Sequence, residues 1–334
     1  MKKQWRPIPG SDHYRNQRFV NLKETPMMAE GVSMWKIMKQ MMARPKLVRP
    51  AHPLPFVKRD LKQPVSGAPV ITWFGHSSYL IQSNGFNILV DPVFSGYAAP
   101  VRGMVKAFEG SNEYKPSDFP EIDLLIITHN HYDHLDSDTL RRIAPKTKQF
   151  LTGLGVGKDI AACSNVQSPI AELDWWESFN ASPGVDLVST PARHFSGRGL
   201  VRGGSLWSSF VLDLHGHRIF LGGDSGYDDF FKTIGERFGP FDLAILECGQ
   251  YDRYWPDIHM TPEQTALAAT ELGAKKLLPV HWAKFTLANH LWDDPIRRVV
   301  AAAGELQLEV LTPRIGEAMP LDGSFVSQPW WDLG

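Results

Sequence analysis

Thr128-His129-Asn130-His131-Tyr132-Asp133-His134-Leu135-Asp136 places three histidines and two aspartates within eight positions, directly after the apolar run Asp123–Ile127. A run of that length and composition forms a buried strand. Packing does not account for such an ending, because each uncompensated polar side chain would lose its hydration. Imidazole nitrogens and carboxylate oxygens are, however, the donors that Zn²⁺ takes at about 2.0–2.2 Å. In an extended turn His129 and His131 project to one side, while Asp133 and His134 swing to a second point. That spacing suits two adjacent ions better than one.

More ligands are then expected at other strand ends. His194 follows the strand-like run Val185–Ser189, and Asp224 follows Arg218–Leu221 inside Gly222-Gly223-Asp224-Ser225-Gly226. The glycines let the backbone approach closely there. His281 follows Lys276–Pro279, and Asp91 ends Asn87–Val90, where it can orient a ligand from behind. Any one of these is an ordinary capping or surface residue; repeated at four strand ends around HxHxDH, they read as one metal site.

Around this core the chain reads as an α+β protein. Val70–Trp73 and Tyr79–Gln82 are further strands, and Asn84-Gly85 and His215-Gly216 are hairpin turns. Ser208–Leu212 and Leu243–Glu247 complete the strand set, and helices fit Ser137–Ile143, Tyr227–Phe238, Thr261–Leu272 and Asp294–Ala303. Thr261-Pro262-Glu263-Gln264 opens its helix with a hydroxyl cap, a first-turn proline and a capping-box glutamine.

The 334 residues allow about two domains, or one large domain with an extension. A hydrophobic share of 43% excludes a largely disordered chain. Thirty-five Lys+Arg against 36 Asp+Glu leave a net charge of −1, so no chain-wide basic field points to nucleic acid. No apolar run approaches the ~18 residues of a membrane span, and Met1–Pro7 lacks the apolar core of a secretory signal. Cys163 and Cys248 cannot build a disulfide framework and read as small core residues. The expected compartment is the cytoplasm, with a peripheral position on the inner face of the membrane in view.

That membrane side rests on the opening segment. Residues 1–65 read as an N-terminal extension packed on a body formed by 66–334. Six of ten methionines lie between Met27 and Met42. From Lys36 to Lys62, Lys36, Lys39, Arg44, Lys46, Arg49, Lys58, Arg59 and Lys62 against Asp60 give +7 and leave −8 for the rest of the chain. Met34, Met38 and Met41, with Trp35 and Met42, follow helical spacing, and Pro45, Pro50, Pro53 and Pro55 then break regular structure. The helix either docks its Met-rich face on the body or offers residues 27–62 to anionic lipid.

The sequence resembles the metallo-β-lactamase superfamily, and within it the N-acylphosphatidylethanolamine-hydrolysing phospholipase D family. The likeness runs from about Ile71 to Arg314: Trp73–Ser78, Asp91-Pro92, HNHYDHLD at 129–136, ELDWWE at 172–177, Gly223–Tyr227, RFGPFDLA at 237–244 and HWAKFTLAN at 281–289. HxHxDH is shared by the whole superfamily, whereas ELDWWE and RFGPFDLA are more restricted. Leu246–Tyr251 departs from the more apolar, proline-containing stretch of animal members, and the N-terminal extension aligns poorly; both bear on the substrate.

The resemblance implies a four-layer αββα sandwich with two Zn²⁺ ions, Mn²⁺ or Fe being alternatives. His129, His131 and His194 would hold one ion, Asp133, His134 and His281 the other, with Asp224 bridging. Asp91 and Asp136 would support them from behind. Asp133 and His259, the latter matching a loop histidine of that family, would be catalytic. His76, Tyr132, Tyr251, Trp255 and Trp282 are candidates to line the substrate site. The implied activity is phospholipase D-type hydrolysis of a lipid or small-molecule phosphodiester, in a monomer or homodimer. Two rivals stay open: the same centre opening a lactone or nucleic-acid bond, and a non-catalytic metal-containing lipid-binding or regulatory protein.

Overall fold

The structure, a computed structural model, describes residues 10–199 and 201–333. β1 (Val70–Trp73), β2 (Tyr79–Ser83) and β3 (Phe86–Val90) form an antiparallel meander. Asn84 and Gly85 close its hairpin with φ of 48° and 78°, the two positive values that match the right-handed twist of the flanking strands. β4 (Leu124–Ile127), β5 (Phe150–Gly153) and β6 (Ile170–Leu173) then add in parallel. β7 (Ser178–Ser182), β8 (Val185–Thr190), β9 (Ser209–Leu214) and β10 (His217–Leu221) build an antiparallel half of a second sheet. β11 (Leu243–Glu247), β12 (Lys276–Val280) and the short β13 (Glu309–Val310) extend it in parallel. β14 (Ala318–Pro320) returns to pair with β1, giving two seven-stranded sheets in the orders β14-β1-β2-β3-β4-β5-β6 and β13-β12-β11-β10-β9-β8-β7.

Side chains alternate across the first sheet, as the two-residue strand period requires. Ile81, Ile88, Val90, Leu124, Ile126 and Leu151 enter the core between the sheets. Leu80, Leu89, Leu125, Ile127 and Phe150 face outward onto Leu140 and Ile143 of α2 (Ser137–Ile143) and Ile160 of α3 (Gly157–Cys163). The second sheet is covered by α4 (Phe230–Phe238), α5 (Pro262–Glu271) and α6 (Asp294–Glu305), which contribute Ile234, Ala266 and Ile296. Helix, sheet, sheet, helix is the four-layer αββα sandwich. Its function follows from polarity, because parallel strands send their carboxyl ends to one edge, where open sheets place their ligands.

Ahead of α2 lies α1 (Met34–Met42), capped by Ser33, whose Oγ accepts from Lys36 N. It is the middle of a strap that crosses the loops at that edge. Ala29 N donates to Tyr254 O, Gln40 Nε2 to Asp252, and Arg44 to Asn289 and the Leu287 carbonyl. Ile37 is buried, whereas Trp35 and Met42 are 73% and 75% exposed and Met38 is also exposed. Of the two readings of this helix, docking by the methionine stripe therefore fails at Met38 and Met42; the side chains of Met34 and Met41 lie outside the described residues.

Earlier in the strap, Asn21 grips the loop that carries His194. Its Nδ2 donates to His194 O at 2.8 Å, while its Oδ1 accepts from His194 N and from Trp207 Nε1. Asn21→Ala strands the His194 N–H and carbonyl, at about 1–3 kcal/mol for each one left buried and unpaired, while Trp207 Nε1 keeps the Ala192 carbonyl. The expected result is faster amide hydrogen exchange over residues 193–207 with the sandwich strands still protected; unchanged exchange in that loop would refute the strap's role.

Candidate metal centre

β4 runs apolar to Ile127 and then delivers Thr128 and the histidine-rich turn. Asp91, at the end of β3 with φ of 41°, reaches sideways to it. Its carboxylate accepts from Thr128 N, Thr128 Oγ1 at 2.6 Å and His134 Nδ1 at 2.7 Å. That bond fixes the His134 ring and turns Nε2 inward. His194 is held in the same way, donating from Nδ1 to the Ile258 carbonyl at 2.9 Å.

His129, His131, His194 and Asp224 form one cluster of possible donor atoms, and His76, Asp133, His134 and His281 form another. In the first, His129 Nε2 and His131 Nδ1 are 2.9 Å apart, His194 Nε2 and His131 Nδ1 3.2 Å. Donors bound tetrahedrally at about 2.0–2.1 Å from one ion lie roughly 3.3 Å from one another. Asp224 Oδ2 is 3.1 Å from His134 Nε2 and 3.8 Å from both His129 Nε2 and His194 Nε2, so it stands between the clusters.

The donor set fits metal on a second count. Among the would-be ligands, His134 Nε2, Asp224 Oδ1 and His281 Nε2 are buried and make no well-aligned hydrogen bond. A buried polar atom left unpaired is costly, and three within one donor set are explained by cations. Electrostatics agrees. Burial pushes His129 and His194 well below the ordinary imidazole range and His131 down to about 4, keeping the rings neutral. Burial opposes charge on Asp224, yet the surrounding histidines, His134 first, hold its carboxyl well below the usual range.

The structure also redistributes several sequence-predicted residues. His76, expected to line the substrate site, is fully buried; its Nε2 donates to Asp133 Oδ2 at 2.9 Å and its ring lies 4.0 Å from His281. A turn through Gly75 and His76, both at positive φ, swings it inward, and His76 and His281 lock their loops by His281 N donating to His76 O. Asp136 does not support a ligand. Its carboxylate caps α2 and accepts from the backbone of Phe94 and Ser95.

Trp282 points away from the cleft into the core, between Trp73 at 5.4 Å and Trp330 at 5.1 Å. Tyr251 hydrogen-bonds Asp294 and stacks on His290 at 4.6 Å, and Trp255 donates to the Gln250 carbonyl. Neither makes a described contact with a candidate ligand. Tyr132 does line a cavity of about 500 Å³, with Arg102 and Arg198, whose guanidinium lies 4.1 Å from its ring.

His259 comes to the cluster, its ring 5.1 Å from His194 and 5.2 Å from His281. Its Nδ1 donates to Glu247 Oε2 at 2.8 Å. Burial resists charge on His259, but Glu247 outweighs it and raises the imidazole to about 9. Sequence reasoning did not place His76 behind Asp133, although it too stands at a strand end. It also missed Ser77, whose Oγ is 2.9 Å from His281 Nδ1, and Asn21, for which no local signal exists.

Residues 86–282 match the family model of the beta-lactamase superfamily domain. The chain is 37% identical over 328 residues to the uncharacterized protein Rv0906 of Mycobacterium tuberculosis, covering 97% of this chain and 88% of that protein. It is 33% identical over 273 residues to the mitochondrial N-acyl-phosphatidylethanolamine-hydrolyzing phospholipase D of Saccharomyces cerevisiae, covering 75% of this chain but only 56% of that protein. Igni18, a metallo hydrolase from Ignicoccus hospitalis, shares the fold at a TM-score of 0.59 and 21% identity, over 76% of this chain and 98% of that one. The family match runs from β3 to His281 and so takes in nearly every strand end that meets at the cleft; the chain belongs to the beta-lactamase superfamily, as a metal-dependent hydrolase of the metallo-β-lactamase fold.

Proposed function

We propose that this hydrolase cleaves phosphodiesters of N-acylphosphatidylethanolamine-like lipids in the manner of a phospholipase D, with two zinc ions. What carries the lipid half is the solvent-facing Trp35, Met38 and Met42 surface on α1, hung by Gln40 and Arg44 on the loops that lead to His259 and His281. Exposed apolar side chains interleaved with Lys36 and Lys39 suit the interface of an anionic bilayer. Methionine adapts to varied acyl chains. The yeast relative's name points to the same substrate. Among the described residues no helix is long and apolar enough to cross a membrane, so contact would be peripheral.

His129, His131 and His194 would hold one ion, Asp133, His134 and His281 the other, with Asp224 between them. When bound, the pair supplies a water acidified towards neutral pH and Lewis-acid stabilisation of charge on the phosphoryl oxygens. His76 keeps Asp133 in place through its Nε2–H, and Asp133 orients the attacking water by accepting its hydrogen bond. His259 protonates the departing alkoxide oxygen, which leaves as the alcohol. Tyr132 and Arg198 form one wall of the approach. Within the 1–65 extension, the described residues brace the cleft on one side and meet lipid on the other.

The direct test is incubation of purified, metal-loaded protein with N-acylphosphatidylethanolamine, reading N-acylethanolamine and phosphatidic acid as products. A simple lactone serves as control: turnover of the lactone alone would replace this reading with that of a lactonase. Asp224→Asn, which removes both a charge and a bridge, is expected to lower turnover by several orders of magnitude while the circular dichroism spectrum holds. Near-normal activity in that variant would show the bridge to be misassigned.

The lipid surface makes a separate prediction. Each basic residue near an anionic membrane contributes about 1 kcal/mol. Neutralising Lys36, Lys39 and Lys46 together is therefore expected to weaken partition onto phosphatidylserine vesicles by roughly 100-fold at low salt. Hydrolysis of bis(4-nitrophenyl) phosphate should barely change. Arg44 is left intact because it is tied to Asn289. Equal losses on vesicles and on the soluble diester, or no response to salt, would mean the segment only braces the fold.

A further inference from the structure

Glu247 stands outside the seven-ligand set and is nonetheless 1% exposed. It is the last residue of β11, an otherwise apolar strand paired on one side with β10 and on the other with β12. A carboxylate buried there is tolerated only when hydrogen-bonded. Oε1 accepts from Ser225 N at 2.9 Å and from Met260 N at 3.2 Å, and Oε2 accepts from His259 Nδ1 at 2.8 Å. The carboxylate thus pins the backbone next to Asp224 and next to His259 with one oxygen, and the imidazole with the other.

Two roles are open to such a group. Asp224, Glu247, His259 and His281 bring donor atoms within 4.8 Å of one another, as a metal site does. The two Glu247 oxygens already accept three N–H bonds between them, an arrangement that favours a holding role over coordination. The other role follows from the direction of the His259 bond. Donation from Nδ1 fixes the hydrogen on that nitrogen, and Nε2 is left on the far side of the ring. That ring sits edge-on to His194 and stacked on His281, with its side chain partly open to solvent.

We propose that Glu247 is a positioning residue for the hydrolysis, holding His259 by Nδ1–H so that Nε2–H is aimed at the leaving oxygen. This rests on the assignment of His259 as the proton donor under Proposed function. In the step it serves, the bond from phosphorus to the leaving alcohol oxygen breaks, and its electron pair stays on that oxygen. The oxygen takes the Nε2 proton and leaves as the alcohol. The oxygen of water forms the new bond to phosphorus, and the proton it sheds returns to Nε2, so one water is added across the bond. Asp-His pairs orient imidazoles for proton transfer by the same arrangement on unrelated folds.

The test uses the full chain loaded with Zn²⁺, and Glu247→Gln, His259→Gln and the double variant. Two diesters are compared: N-acylphosphatidylethanolamine in micelles, whose alkoxide must be protonated to leave, and bis(4-nitrophenyl) phosphate, whose phenolate need not be. Glu247→Gln should lower the ratio of the two rates about 100-fold, the scale of general-acid assistance. His259→Gln should lower it as far, and the double variant no further. Metal per chain should equal that of the wild type. A slowly exchanging His259 Nδ1 proton, seen by ¹⁵N-edited NMR in the wild type, should vanish in Glu247→Gln.

Metal lost from Glu247→Gln would overturn the proposal in favour of a ligand role. An unchanged ratio of rates in Glu247→Gln would overturn it if His259→Gln lowers that ratio, and an Nδ1 proton missing from the wild type would do the same. If His259→Gln itself leaves the ratio intact, the assignment of His259 falls, and the positioning role falls with it. If the wild type opens a lactone or acyl ester instead, the variants are compared on alkyl- and aryl-leaving versions of that ester, and the same ratio decides.

Discussion

Among the described residues, the Asp224 carboxylate is the one buried negative charge that touches both histidine clusters. It lies 3.1 Å from His134 and from His281 and 3.8 Å from His129 and His194. Like groups brought together in low dielectric repel or stay neutral, and a cleft that buries this many imidazoles holds together only with carboxylates among them. Asp224 comes from the second sheet and the histidine-rich turn from the first, so the carboxylate also joins the two layers. Gly223 makes the approach feasible, because a Cβ there would meet the Ser208 carbonyl at 2.9 Å.

The backbone accepts strain to bring these groups to one point. His76, Asp91 and His281 take φ of 53°, 41° and 68°, in the left-handed region that non-glycine residues seldom occupy. Such conformations cost of order 1–3 kcal/mol each and persist where the surroundings over-determine them. Here the surroundings are specific. The His76 and Trp282 segments exchange backbone hydrogen bonds, and Lys284, fully buried, donates to the Phe74 carbonyl just before the turn. The core behind them is aromatic, with Trp73, Trp282 and Trp330 in mutual contact. Trp282 was read from the sequence as a substrate contact because it adjoins His281; in a tight turn adjacent side chains diverge, and the second one went to the core.

What the sequence made legible was what local chemistry dictates. The Asn84-Gly85 and His215-Gly216 turns, the Thr261 capping box and the apolar strands leading to Asp91, His129 and His281 lie where patterning puts them. Sheet edges were harder to read. Ser178–Ser182 is polar and half-exposed, and Ala318–Pro320 is three residues long and pairs with a strand near residue 70. Neither carries a periodicity long enough to register. The same distinction divides the site. Ligands announced themselves by residue type at strand ends, but which aromatics face the cleft and which face the core depends on tertiary packing. Asp136, in a motif full of ligands, was drawn off by the open N-terminus of α2, where a carboxylate satisfies two orphan N–H groups at once.

The strap extends this logic to the N-terminus. Exposed pairs such as Lys23 with Asp229 contribute little after screening, so its grip comes from partly buried contacts. Arg193, the neighbour of His194, is where they meet. Its guanidinium reaches Thr25 and the Glu24 carbonyl on the strap, the Tyr227 carbonyl beyond Asp224, and Asp257 on the His259 loop at 3.0 Å. Its own N–H donates to Ser225 Oγ. One planar, permanently charged group thus ties together the loops of His194, Asp224 and His259 and the segment that leads to the exposed face of α1. Lysine at this position would offer the charge without the fork and could satisfy only part of that set.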